Sequence, residues 1–401
     1  MRTIGVVTVG RSDFGIYLPV LRAIAADPQL KLHLIVSGAH LSPEFGWTVR
    51  DITAHGFEIG EQVDMLLSSD TPAAIAKSMG MGMIGFAQAY ARTRPDILLV
   101  LGDRFEMHAA AAAAVPFKIP LAHLHGGEVT EGAIDDAFRH AITKYSHLHF
   151  VSTAGHARRV IQLGEDPRRV IVSGAPSLDN LRSIRYLTQA ELEERCGMKF
   201  ERPPLVVTYH PVTLQHEQTD WQVQQLLDAL AVQPHPIIFT KPNADTNGRV
   251  IIERIEQFVK KHPRARLVDN LGTEAFFSLM RIAVAMVGNS SSGIIEAASF
   301  ELPVLNIGLR QAGRERSQNV VDVGNLRDEI DGGLAQVLDP GFRRSLIGMT
   351  NVFGSGNAAE IIVEHLKRVR LDDGFVMKRF HDAPKIREDS SSTIQEASAA
   401  A

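Results

Sequence analysis

Cysteine is almost missing from this chain: Cys196 is the only one in 401 residues. One thiol excludes an internal disulfide framework and any zinc site built on cysteines. It agrees with a reducing, cytoplasmic setting. Long apolar runs are lacking as well. No stretch reaches the roughly 20 residues that a membrane-spanning helix needs, and the alanine-rich segment 109–115 soon meets Lys118 and two prolines. Residues 1–9 hold one early Arg and a β-branched run, which is not the pattern of a secretory leader. Nor does one sign of charge dominate. There are 42 basic and 46 acidic residues, a net charge of −4, so no global attraction draws the chain to nucleic acid. Local sites for a small anion stay open. The common phosphate signatures are absent too: residues 10–15 carry glycine at both ends, but neither G-x-G-x-x-G spacing nor a following Gly-Lys-Ser/Thr.

What is present is an ordinary globular composition, 45% hydrophobic and 22% charged, in a chain long enough for about two domains. Strand-like runs at 3–9, 31–36, 58–63, 97–101, 119–124, 149–152 and 169–173 alternate with helical patterns, including 16–26, 105–115, 135–144 and 154–163. Such alternation predicts a doubly wound parallel sheet. The stretch 181–204 is charged and lacks strand signals. A second alternation then runs from 205 to 307, with further helices at 326–337 and 357–370. The reading is an α/β protein with one domain over residues 1–180 and another over 181–370, the last helix crossing back to the first. Residues 384–401 are rich in Ser, Ala and Glu and are expected to be a disordered tail.

The densest chemistry lies in residues 101–139. Strand-like runs precede both of its polar clusters, so the polar residues fall at the carboxyl edge of a parallel sheet, where α/β proteins bind ligands. Asp103, Arg104 and Glu106 follow the first run. His123 and His125 alternate on the second and are expected on one side of it. Two histidines without further ligands at suitable spacing make a poor metal site, so no metal is expected. Asp135 and Arg139 stand four apart on a helix, the spacing of a surface ion pair worth about 0.3–0.5 kcal/mol. Arg11 and Asp13 follow the first strand, where a polar turn with an Asp helix cap is the bland account.

The second half offers Gly288-Asn289-Ser290-Ser291-Ser292-Gly293 between a strand and a helix. Free N–H groups and serine hydroxyls at such a helix start favour an anion. Glu296, about one turn in, could accept bonds from ribose hydroxyls. Arg310, Arg314 and Arg316 follow another strand end, and arginine grips phosphate bidentately. His210 and Asn243 lie after two further strands. The serine-rich turn and the arginine loop together read as a diphosphate site.

In order and spacing, GDRFE, HLHGGEVTEGAIDDAFRHAITK, YHPVT, KPNAD, GNSSSGIIE and NIGLRQAGRE resemble the hydrolysing UDP-N-acetylglucosamine 2-epimerases of sialic-acid-type sugar biosynthesis. The resemblance covers about residues 2–370. It implies a GT-B fold, two Rossmann-like domains with the active site in the interdomain cleft. It implies a UDP-sugar substrate, no nicotinamide or other cofactor, and a homodimer or homotetramer. By similarity Asp13, Asp103, His125, Asp135 and Arg139 fall at positions tied to catalysis. Arg11, His210, Asn243, Ser290, Ser291, Gly293, Glu296 and Arg310 fall where UDP is held. The implied products are UDP and N-acetylmannosamine. The alternative sugar is UDP-N,N'-diacetylbacillosamine, on the route to legionaminic acid. His125 departs from relatives that carry glutamate before Gly-Gly. A protein that binds UDP-sugar without turning it over is the reading from a different class.

Overall fold

A computed structural model describes residues 1–382 except 70, 132–133, 213–216, 242–247 and 269–270. The proposed tail, 384–401, and Asn243 lie outside the described residues.

Two all-parallel sheets carry the chain. The first has seven strands: β1 (Arg2–Thr8), β2 (Leu30–Ser37), β3 (Ile59–Val63), β4 (Ile97–Leu101), β5 (Leu121–Leu124), β6 (Leu148–Val151) and β7 (Val170–Val172). Their order is β3-β2-β1-β4-β5-β6-β7. The second has β8 (Leu205–Thr208), β9 (Ile237–Thr240), β10 (Ala265–Val268), β11 (Ala285–Gly288), β12 (Val304–Ile307) and β13 (Val320–Val323), in the order β10-β9-β8-β11-β12-β13. This is the GT-B arrangement of two Rossmann-like sheets. The apolar runs exist because strands covered by helices on both faces are buried twice. All five residues of β4, Ile97 to Leu101, are buried.

Strand order fixes where a ligand fits. In the first sheet, connections from β1 and β4 leave in opposite directions and open a crevice between their carboxyl ends. In the second sheet β8 and β11 play that part. Arg11 and Asp103 follow the first pair of strands, and His210 and Ser290 follow the second.

Helix Phe105–Ala114 ends in a run of alanines from Ala109 because it is sandwiched: Ala109, Ala110 and Ala111 are fully buried. Larger side chains would not fit between the sheet and helix Pro72–Arg92. Helix Ala358–Arg368 places Ala358, Ile362 and Leu366 in the same core as β1 and β4, so this helix packs against the first sheet's core. Among the elements missed in the sequence are β13, a short edge strand, and helix Gln189–Cys196 within the charged stretch, whose Thr188–Glu191 capping box was a legible start signal.

Candidate active site

Gly10, extended at φ −164°, caps helix Arg11–Ala26, so Arg11 and Asp13 belong to its first turn. The helix begins five residues before the expected position 16. Two glycines suggested a loop, but the Phe14 N–H already donates to the Gly10 carbonyl at 3.1 Å. Asp13 is buried, takes a 3.3 Å bond from the Ser12 hydroxyl, and leaves Oδ2 without a hydrogen bond among the described residues. Burial pushes its pKa up to about 6; Arg104 opposes the rise and Glu106 adds to it. Arg104 is itself paired with buried Glu106 at 3.0 Å.

Asp103 follows β4 and pairs with Arg139, which is only 2% exposed. The guanidinium also donates to Asp136 Oδ1 at 3.0 Å, the Glu128 carbonyl at 3.0 Å and Thr130 Oγ1 at 2.8 Å. The surface pair expected between Asp135 and Arg139 is therefore replaced. Arg139 faces inward, and its helical partner is Asp136, three residues away. Asp135 stands on the same first turn, partly buried, and its charge acts on Arg104. A buried arginine with two carboxylates is costly to break, so Asp103 is held in one orientation.

His123 and His125 do not share a side. His123 donates from Nε2 to the Gly102 carbonyl at 2.8 Å and meets Thr143 Oγ1 through Nδ1 at 3.2 Å. Both ring nitrogens are occupied, and burial lowers its pKa to about 3. It is a neutral core histidine. β5 ends at Leu124, and His125 turns into the left-handed region at φ 62°. That conformation is strained for a residue with a side chain. It breaks the alternation and aims the ring elsewhere. His125 Nδ1 meets Glu128 Oε1 at 2.6 Å, and the Ser152 hydroxyl lies 3.2 Å from both groups. A carboxylate on Nδ1 fixes the ring's orientation and, in the neutral form, puts the lone pair on Nε2. Nε2 is buried without a hydrogen bond among the described residues. Burial works against the Glu128 charge, yet His125, Arg314 and His156 outweigh it and hold its pKa well below the carboxylate range. Gly127 (φ 75°) lets this turn press against the His156 carbonyl, where a Cβ would collide.

Across the cleft, Asn289 brackets His210: its Oδ1 accepts from the His210 N–H at 2.7 Å and its Nδ2 donates to the His210 carbonyl at 2.9 Å. Gly288 (φ 129°) permits this, since a Cβ would strike the Thr208 carbonyl. Arg310 and Gln311 both donate to the Asn289 carbonyl, at 3.0 and 2.8 Å. Burial, helped by Arg310, lowers the His210 pKa to about 3, so its ring is neutral. Ser290 caps helix Ser291–Ile295, its Oγ accepting from the Ser292 N–H at 3.3 Å. The helix has five residues, so free N–H groups rather than a long dipole would meet an anion. Gly293 sits where a Cβ would press on Val304 Cγ1, so its glycine brings this turn down onto β12. Glu296 is buried, which raises its pKa, and its Oε1 accepts from Ser177 at 2.7 Å.

The two edges meet. Arg314 reaches Glu128 at 3.7 Å, and the Thr153 hydroxyl donates to Glu315 at 2.9 Å. Of the thirteen sequence-derived positions, the structure describes all but Asn243. Glu128 and Ser152 were not among them, and Arg314 was expected to face a phosphate rather than Glu128. Glu128 stood in the Gly-Gly-Glu motif, but its contact with His125 depends on a left-handed turn that no spacing rule shows. The arrangement offers carboxylates and an imidazole for proton transfer on one wall, and neutral donors with arginines for a diphosphate on the other.

Known proteins share this plan. The profile of the UDP-N-acetylglucosamine 2-epimerase family matches residues 22–367. The chain is 41% identical to the GDP/UDP-N,N'-diacetylbacillosamine 2-epimerase (hydrolyzing) of Campylobacter jejuni, over 80% of this chain and 84% of that one. It is 36% identical to the UDP-N,N'-diacetylbacillosamine 2-epimerase (hydrolyzing) of Legionella pneumophila, over 94% and 99%. In structure it resembles the UDP-GlcNAc 2-epimerase of Neisseria meningitidis bound to UDP-GlcNAc, with a TM-score of 0.80 at 18% identity, over 91% and 99% of the two chains. With that profile covering most of its length and both relatives matching across both halves, the chain belongs to the UDP-N-acetylglucosamine 2-epimerase family.

Proposed function

We propose that this hydrolysing UDP-sugar 2-epimerase acts on UDP-N,N'-diacetylbacillosamine in preference to UDP-N-acetylglucosamine. The observation that carries the sugar assignment is the likeness to two hydrolysing diacetylbacillosamine epimerases, one of them along nearly its whole length. The motifs alone had put N-acetylglucosamine first. Both sugars undergo the same chemistry, and they differ at carbons 4 and 6.

The reaction begins with loss of the proton at sugar carbon 2 and of UDP from carbon 1, leaving a glycal. Water adds at carbon 1 and a proton is delivered to the opposite face of carbon 2. UDP-sugar and water thus become UDP and the free 2-epimer. Asp103, aligned by Arg139, and Asp135 are the carboxylates for this proton work, with Asp13, whose charge acts on the same Arg104 as Asp135. His125 offers Nε2 as a second acceptor or donor. Arg11, His210, Asn243 and Arg310 hold UDP, together with the Ser290–Ser291–Gly293 turn and Glu296. The buried ion pair of Arg139 supports a fixed base, because a carboxylate held in one geometry loses less on reaching the transition state. A cytoplasmic location and assembly into a homodimer or homotetramer belong to the same reading. Met81, Met83 and Ile84, exposed on helix Pro72–Arg92, support self-association.

Steady-state kinetics with both UDP-sugars tests the assignment. A kcat/KM at least about tenfold higher for the diacetamido sugar, a difference of about 1.4 kcal/mol, is the expected result. The reverse ranking overturns the sugar, and an epimer still bearing UDP overturns hydrolysis.

A further inference from the structure

The chain crosses between its halves twice, and the two crossings are pinned together. The Ala175 N–H donates to the Phe353 carbonyl at 2.7 Å. Gly174 (φ 82°) packs so closely on Phe353 that a Cβ would lie 2.9 Å from its carbonyl oxygen. Asp179 accepts from the N–H groups of Ala358 and Ala359 at 3.0 and 2.7 Å, capping the last long helix. The outgoing crossing also touches the nucleotide wall. Ala175 and Leu178 share a small apolar core with Ile294, Ile295 and Phe353. Asn351 on the returning crossing donates to the Ile295 carbonyl at 2.7 Å. The turn that carries Ser290 to Glu296 is therefore built onto the crossings.

Within this junction the Ser177 hydroxyl donates to Glu296 Oε1 at 2.7 Å, and each residue is 7% exposed. We infer that Ser177 is a positioning residue for the nucleotide grip: from the crossing it seats the Glu296 carboxylate for the ribose hydroxyls of the bound nucleotide. This rests on the reading of Glu296 as a nucleotide ligand. A carboxylate offers about four acceptor sites. The bond from Ser177 uses one of them and restrains the side chain, leaving others for a ligand. Without the Ser177 bond, the side chain would have to be ordered by the nucleotide itself, which costs affinity.

The titratable groups facing Glu296 are His125 on the opposite wall and Arg314 in the loop after β12, besides the two serine hydroxyls. Burial favours the neutral acid; these four oppose it. Removing the Ser177 hydroxyl removes a bond made to the charged form, so Glu296 would protonate at a higher pH. A hydroxyl that mattered only for folding would change the unfolding midpoint and leave this titration alone.

Calorimetric titration of the full-length protein with UDP from pH 5 to 8 decides the matter. Ser177→Ala should weaken UDP about tenfold at pH 7, the scale of one lost charge-assisted bond. The acid limb of its affinity should move to higher pH, and KM should rise with kcat nearly kept. Ser177→Thr, which keeps the hydroxyl, should restore both. Parental affinity of Ser177→Ala at every pH overturns the inference, and so does a Ser177→Thr variant as weak as the alanine one. Glu296→Ala separates the two levels. If it binds UDP like the parent, the reading of Glu296 fails as well. If it binds weakly while Ser177→Ala binds normally, only the role of Ser177 falls.

Discussion

The two switch points have the same topology and opposite chemistry. At the first, the carboxyl ends of β1 and β4 lead into ionisable groups: buried Asp13, half-buried Asp103 with buried Arg139, and, one strand further, buried His125 with Glu128. At the second, β8 and β11 lead into amide, hydroxyl and neutral imidazole groups fixed by main-chain bonds, with Arg310 behind them. Proton transfer needs groups whose basicity is tuned by burial and neighbours. Holding a leaving diphosphate needs donors that do not move. One architecture meets both demands by changing the loop that each strand leads into.

Substitutions on the two walls should therefore fail in different ways. Asp103→Asn should lower kcat by about 10²- to 10⁴-fold with little change in KM, measured as UDP release. A rise in KM with kcat preserved would move Asp103 to the binding wall. Asp13 gives a stability effect with a definite sign. Its folded pKa of about 6 lies above its ordinary value of 3.8. Its contribution is thus fully present below pH 4 and lost as pH rises through 6. Asp13→Asn should flatten that part of the urea-unfolding profile, by on the order of 3 kcal/mol; an unchanged slope between pH 4 and 7 would contradict it. Glu128→Gln leaves the shape but weakens the hold on the His125 tautomer, so kcat should drop about 10- to 100-fold. Asn289→Ala releases the loop around His210. Its main effect should be on UDP affinity, about tenfold, with a smaller loss in kcat. Equal losses in both quantities would blur the contrast between the walls.

Much of this was legible in the residues. Doubly buried strands such as residues 97–101 announce themselves as continuous apolar runs, and polar loops after them mark the ligand edge. Asp103 and Ser290 were placed at that edge for this reason, and they do follow β4 and β11. Contacts set by backbone conformation or by distant chain segments were not legible. His125 was expected beside His123, but a left-handed residue after β5 turned it toward Glu128. Arg139 looked like half of a surface pair because spacing along a helix says nothing of what lies opposite. Arg314 and Ser177 join residues more than 100 positions away, and only the folded chain brings them together.

On the proposed reading, one wall moves protons while the other holds and releases UDP, in a single hydrolytic epimerisation. Incubation with UDP-N,N'-diacetylbacillosamine in deuterated water, read by NMR, tests this division of labour most directly. Free 2-epimer carrying one deuterium at carbon 2, with an equal amount of UDP, is the predicted result. UDP release with the carbon 2 hydrogen retained, or a deuterated sugar still attached to UDP, would contradict it.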